Sequence, residues 1–169
     1  MLSIAIPNNV KISWNDTFIK IVGPLGTLIK KKGDLILVLK DNRLYLVNNT
    51  ENTNFYFTIL RSLINGVSKG YRVKLRLVGV GYKASIKENK LILKIGYSHE
   101  VIYNIPENIQ IICSKAKGTL LLIKGLELYR VKQIAAEIRA LHLPDAYKGK
   151  GVQYAKEILK LKKGKRESR

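Results

Sequence analysis

The chain has 169 residues, with 31 Lys+Arg against 12 Asp+Glu, a formal charge of +19, and 46% hydrophobic residues. That balance excludes a disordered basic tail, because such chains are poor in hydrophobic residues; a folded body this basic faces a polyanion, nucleic acid first and an anionic membrane second. The single cysteine, Cys113, excludes a disulfide-stapled secreted domain, and no apolar run approaches the length of a membrane span.

The N-terminal stretch Met1-Leu2-Ser3-Ile4-Ala5-Ile6-Pro7 has neither the cationic start and apolar core of a signal peptide nor an Arg-rich transit pattern. The protein is therefore expected in the compartment that made it. Strands are predicted near 10–13, 18–23, 26–31, 34–40 and 43–47 from period-two alternation. From Asn54 to Val67 the period changes: apolar residues stand at 56, 59, 60, 63, 64 and 67, an amphipathic helix with Thr53 as its cap and Gly66 and Gly70 at its end. Alternation returns in Arg72-Val73-Lys74-Leu75-Arg76-Leu77, with three cations on one face and apolar residues on the other, the pattern of a half-buried antiparallel strand. Leu91–Ile95, Val101–Ile105 and Thr119–Ile123 read as further strands, parted by turn residues at Glu88-Asn89-Lys90, Pro106-Glu107-Asn108 and Lys117-Gly118. A second helix is predicted over Leu126–Leu141, stopping before Pro144. Residues 141–169 carry nine cations and three acids and are glycine-punctuated, so they are expected to be extended.

The order is strands, helix, strands, helix, and the sequence repeats within it. Ile6-Pro7-Asn8-Asn9-Val10-Lys11-Ile12 aligns with Ile105-Pro106-Glu107-Asn108-Ile109-Gln110-Ile111, and Phe18–Gly23 aligns with Thr119–Gly125. After that glycine the halves diverge: the first makes more strands before its helix, and the second goes straight into helix. The expected fold class is α+β: two tandem, structurally similar domains, each an antiparallel sheet with one packed helix, plus a basic C-terminal extension. The expected bounds are 1–70, 71–154 and 155–169.

Chemistry concentrates in Tyr147-Lys148-Gly149-Lys150-Gly151-Val152-Gln153-Tyr154. Alternating lysine and glycine lets a backbone approach phosphates while ammonium groups neutralise them. Tyr147 and Tyr154 suit stacking on bases or sugars, or hydrogen bonds to phosphates. Lys156, Lys160, Lys162, Lys163, Lys165 and Arg166 extend the same surface. Gly79-Val80-Gly81-Tyr82-Lys83-Ala84 matches a loose dinucleotide pattern, but a helix must open there to receive the pyrophosphate. The alternating Ser85-Ile86-Lys87 that follows instead marks a strand bend. His99 and His142 are the only histidines, and no His/Cys/carboxylate cluster is spaced for a metal or for nucleophilic catalysis. No cofactor, metal or catalytic residue is expected, and Cys113 reads as buried and inert.

These residues carry a resemblance. Pro144-Asp145-Ala146-Tyr147-Lys148-Gly149-Lys150-Gly151-Val152 resembles the signature of the bacterial-type large-subunit ribosomal protein six family. Ile21-Val22-Gly23-Pro24-Leu25-Gly26 resembles its early Gly-Pro-x-Gly turn, Gly70-Tyr71 with Leu75–Ala84 its central strand and bend, and Gly96-Tyr97-Ser98-His99 its Gly-Tyr-Ser-His element. The match departs at Leu126–Gln133, at His142-Leu143 and at the N-terminal lead-in, a drift that favours an organellar or divergent ribosome. The resemblance implies a structural, non-enzymatic protein of the large ribosomal subunit that binds large-subunit rRNA near the sarcin–ricin loop and the translation-factor site. Gly81, Tyr82, Lys83, Ser98 and His99 are further expected rRNA contacts, on two loops where cations and accessible backbone coincide. The partners the resemblance implies are large-subunit rRNA, neighbouring ribosomal proteins and nearby translation factors, with no membrane and no homo-oligomer. The alternative function is an RNA-processing enzyme or another, non-ribosomal RNA-binding protein. Lys outnumbers Arg 23 to 8, with 21 Ile and 12 Asn, a bias that AT-rich codons produce. A mitochondrial, organelle-encoded chain is the expectation, with plastid or bacterial cytoplasm as alternatives.

Overall fold

A computed structural model describes residues 2–33, 35–47, 53–114 and 118–163. The chain forms two compact units, residues 1–71 with 125–128 and residues 72–124 with 129–169. The short segment 125–128 thus belongs to the first unit although it follows residues 72–124 in the chain.

The first unit contains β1 (Leu2–Ala5), β2 (Lys11–Trp14), β3 (Phe18–Gly23), β4 (Gly26–Lys31), β5 (Leu37–Lys40), β6 (Arg43–Leu46) and α1 (Thr53–Lys69). They make two three-stranded antiparallel sheets, in the orders β2-β3-β4 and β1-β6-β5. Helix α1 turns Leu60, Leu63, Ile64 and Val67 onto a core that includes Ile4, Ile19, Ile21, Leu37, Leu44 and Leu46. That is the apolar stripe its spacing predicts. The helix ends at Gly70, whose φ of 70° supplies the left-handed cap and whose N–H closes on the Gly66 carbonyl at 3.0 Å. Gly66 itself is buried, and a Cβ there would overlap the carbonyl group of Leu126.

The second unit contains β7 (Tyr71–Val78), β8 (Lys83–Lys87), β9 (Lys90–Lys94), β10 (Val101–Asn104), β11 (Ile109–Cys113), β12 (Leu120–Gly125), α2 (Leu128–Ala140) and β13 (Gly151–Tyr154), except that Tyr71, Gly125 and Leu128, at the ends of β7, β12 and α2, belong to the first unit. Its sheets run β10-β9-β8 and β11-β12-β7-β13. Helix α2 buries Val131, Ile134, Ala135 and Ile138, in a unit whose other fully buried side chains include Leu75, Leu91, Leu93, Ile95, Leu121, Ile123 and Val152.

The repeat seen in the sequence is present atom by atom. Val10 N–H donates to the Pro7 carbonyl at 2.9 Å, and Ile109 N–H to the Pro106 carbonyl at 3.0 Å. Asp41-Asn42 and Glu88-Asn89 are the only non-glycine residues with positive φ among those described, and each pair closes a two-residue hairpin, β5–β6 and β8–β9. The Asn42 amide donates to the Ile6 carbonyl at 3.0 Å, and the Asn89 amide to the Ile105 carbonyl at 3.1 Å. In the first unit this hairpin follows β2–β4; in the second it precedes β10–β12. The halves diverge after Gly23 and Gly125 because the same hairpin sits at the other end of the chain order.

Three expectations are corrected. Strand β1 was not expected, because only Leu2 and Ile4 alternate before Ile6-Pro7. Residues 151–154 are not extended loop but β13, pairing with β7 from Gly151↔Val78 to Tyr154↔Leu75. Cys113 is half-buried at the end of β11, where burial pushes its thiol pKa up.

Candidate nucleic-acid interface

Pro144 and Asp145 open a loop that closes on itself. The Lys148 N–H donates to the Asp145 carboxylate at 2.9 Å, the Gly149 N–H to the Asp145 carbonyl at 3.0 Å, and the Asp145 N–H to the Lys150 carbonyl at 2.8 Å. The Lys148 N–H bond holds the Asp145 carboxyl below the usual carboxylate range. This turn sorts the loop by face. Tyr147, Lys148 and Lys150 are exposed, whereas Gly149 and Gly151 are buried.

The glycines therefore do not serve close approach of the backbone to a ligand, as the sequence suggests; they serve the fold. A Cβ at Gly151 would lie 2.7 Å from the Leu143 carbonyl oxygen and from Pro144 Cα, and one at Gly149 would touch Leu159, Leu161 and the Gln153 amide. With φ of 66°, Gly149 also takes a conformation that favours glycine. Beyond it Gln153, only 4% exposed, donates to the Gly149 carbonyl at 2.5 Å and accepts from Arg76 at 3.0 Å, which satisfies a buried amide on both sides.

The two bends named in the sequence meet this loop at His142. The Tyr82 hydroxyl lies 3.3 Å from His142 Nε2, and the Tyr97 ring lies 5.5 Å from the His142 ring. Tyr97 donates to the Leu141 carbonyl at 2.9 Å and stacks on His99 with 18° between planes. Tyr82 is half-buried because Gly79 and Gly96 leave room for its ring, where a Cβ would collide with it at 2.8 Å. Gly81, with φ of 76°, and Lys83, Ser98 and His99 are exposed around this cluster. His142 is the residue that sequence reasoning missed. Its only signal is its place two residues before Pro144; its packing partners lie 60 and 45 positions back.

Tyr154 is less available than expected: it is half-buried, with the Arg139 guanidinium 5.6 Å from its ring centre. Arg139 also makes a two-pronged bond to Glu157 at 2.6 and 3.2 Å, and Glu157 accepts from the Tyr154 N–H at 3.0 Å. The guanidinium holds the Glu157 carboxyl below its ordinary range. The tail is thus tied to α2, and Lys162 N–H returns to the Ala146 carbonyl at 2.8 Å. Lys156, Lys160, Lys162 and Lys163 are exposed along it, while Lys165 and Arg166 lie outside the described residues. Among the described residues no three His, Cys, Asp or Glu side chains converge as metal ligands, and no helix is long and apolar enough to cross a membrane.

Together these features define a class: a duplicated, strongly basic α+β protein that holds lysines and aromatic rings outward from loops anchored in its own core. Comparison with known proteins gives the family. The Ribosomal protein L6 model matches residues 78–155. The chain is 38% identical over 179 residues to the large ribosomal subunit protein uL6m of Reclinomonas americana, covering 97% of this chain and 96% of that one. It is 39% identical to uL6 of Hydrogenobaculum sp. (strain Y04AAS1), covering 96% and 92%, and 39% identical to uL6 of Xanthobacter autotrophicus, covering 98% and 97%. The chain belongs to the ribosomal protein L6 family, whose members are structural proteins and not enzymes.

Proposed function

We propose that this protein is a structural constituent of the large ribosomal subunit, and that its second unit and tail bind large-subunit rRNA beside the sarcin–ricin loop, close to where translation factors act. Family membership supports the ribosome. One observation carries the RNA reading: the 145–150 loop turns its glycines inward and sets Tyr147, Lys148 and Lys150 outward on a backbone already closed by Asp145. Such a loop meets a phosphate chain with little ordering left to do. The exposed Tyr97–His99 stack beside it offers a flat face to a base. The protein acts as a single copy among neighbouring ribosomal proteins. The excess of Lys, Ile and Asn supports an organelle ribosome.

Sedimentation tests the reading. The full chain should travel with large subunits, and in the organelle fraction of its source cells. Recovery only as free protein overturns the ribosomal assignment; recovery with large subunits outside organelles overturns the compartment. With about five phosphates neutralised, log K for deproteinised large-subunit rRNA should fall against log salt with a slope of roughly −3.5 to −4.5. Lys148→Gln with Lys150→Gln should flatten it by about 1.5.

A further inference from the structure

Strand β7 alternates buried Leu75 and Leu77 with exposed Arg72, Lys74 and Arg76. Leu75 and Leu77 face the core, so the three cations share the opposite face of the β11-β12-β7-β13 sheet. Lys124 of the neighbouring β12 alternates with buried Ile123 and lies on that face too. On β11 and β12 the face is open, with Leu120 and Ile112 47% and 39% exposed, whereas at the β13 edge Gln153, opposite Arg76, is buried beneath the lysine loop. No Asp or Glu stands among the outward positions of these strands, and among the described residues none of the four cations has an ion-pair partner. Arg76 is held in place by a neutral group, the Gln153 carbonyl oxygen at 3.0 Å, so its charge is positioned and not cancelled. Gln153 in turn donates to the Gly149 carbonyl, which joins this face through two hydrogen bonds to the lysine loop.

We infer that the outer face of this sheet is a second phosphate-binding stripe, with Arg72, Lys74, Arg76 and Lys124 contacting the backbone of the same rRNA that the loop engages. The occupant is an RNA strand because three like charges in a row on β7, with Lys124 beside them on β12 and no acid among them, complement a polyanion. Side chains two apart on a strand repeat every ~6.6 Å, a spacing that follows an extended backbone better than a point ligand. The exposed Leu120 and Ile112 give such a strand an apolar floor on which riboses and base edges rest.

The inference rests on the rRNA reading above, and the experiment separates the two. The full chain is titrated with deproteinised large-subunit rRNA between 50 and 200 mM salt, as the native protein, as Arg72→Gln/Lys74→Gln/Arg76→Gln, and as Lys148→Gln/Lys150→Gln. The triple variant should lose about two units of salt slope, which makes its affinity fall about 16-fold less than the native protein's across that fourfold salt range. Lys74→Gln alone, which breaks no hydrogen bond described here, should lose about 0.7–0.9 of slope even if the triple variant folds poorly. Arg72→Lys/Arg76→Lys should keep the native slope, since charge is retained. A flattened loop variant with a native-like triple variant and native-like Lys74→Gln overturns the stripe and leaves the loop reading standing. Native slopes in every variant overturn both.

Discussion

The two units are built from the same parts and finished differently. Each has a hairpin closed by an asparagine in the left-handed region, a strand after an Ile-Pro turn, and a helix on the inner face. In the first unit β4 is an edge of the β2-β3-β4 sheet; in the second unit its counterpart β7 carries one more strand, β13. The residues that make β13 belong to the stretch that holds the lysine loop. What distinguishes the unit that holds the lysine loop is therefore an added strand that anchors it. A second difference lies where the sheets meet the helices. Ile4 of β1 lies in the first core, whereas Tyr103, 99 positions on, reaches Glu137 of α2 with its hydroxyl at 2.5 Å.

The comparison breaks most sharply at its glycines. Gly66→Ala in the first unit and Gly151→Val in the second each drive a side chain into backbone atoms, and each should cost roughly 2–4 kcal/mol. Gly151→Val should strip hydrogen-exchange protection from the strands of the second unit while α1 keeps its own; Gly66→Ala should do the reverse. Equal loss in both units from either change would show that they unfold as one.

Next come the paired asparagines. Asn42→Ala and Asn89→Ala each remove the same amide-to-carbonyl bond and place alanine at φ near 60°. Each should cost about 1–2 kcal/mol in chemical denaturation, Asn42→Ala slightly more because its amide also donates to the exposed Asn8 side chain at 3.1 Å. A marked inequality would show that the two hairpins are not equivalent supports.

The tether of the tail is a smaller effect. Glu157→Gln should cost about 0.5–1.5 kcal/mol at neutral pH. Because Arg139 lowers the folded-state pKa of Glu157, this stabilisation is present above its ordinary value of 4.5 and is lost as pH falls through the lower folded value. Acid titration of the native protein minus that of the variant should show the loss below pH 4.5, and a flat difference would remove Glu157 from the account. The smallest effect concerns Tyr103, whose pKa burial and the Glu137 carboxylate push up to about 12. Its raised value means that its contribution is complete below pH 10 and fades as pH rises through 12. Tyr103→Phe should cost about 0.5–1 kcal/mol at pH 7 and delete a tyrosine ionisation near pH 12 in an ultraviolet titration.

Much of this was legible in the chain. Two helices, most strands and the duplication could be read because Ile-Pro turns and alternating aliphatic residues recur 99 positions apart. The hairpin's changed place was not, since the sequence shows only that similarity stops after Gly23 and Gly125. Strand β13 escaped because three residues, Val152, Gln153 and Tyr154, are too few to show a period. The burial of Gln153 depends on Arg76, 77 positions away. The exposed lysines of the loop lie where sequence reasoning put them, but its glycines were misread: a glycine beside lysine suggests room for a ligand, while here the neighbour it accommodates is Pro144. His142 was marked only by its place two residues before Pro144, because what gathers around it comes from two distant bends.

The changed place of the hairpin also sets the order in which the molecule can assemble. In the first unit β2-β3-β4 is a local meander, and the sheet closed by distant residues is β1-β6-β5, where Leu2 meets Leu46. In the second unit the roles exchange: β8-β9-β10 is local, with Leu93 meeting Val101, and closing the longer loop of the first unit costs about 1.5 kcal/mol more by chain entropy. The distant closure of the second unit is then the cation-bearing sheet itself, in which Leu75 waits for Tyr154. On a growing chain that sheet stays one strand short until residue 154 has cleared the machinery making it. That sheet, the one we propose faces RNA, is thus expected to complete after the local β8-β9-β10 meander.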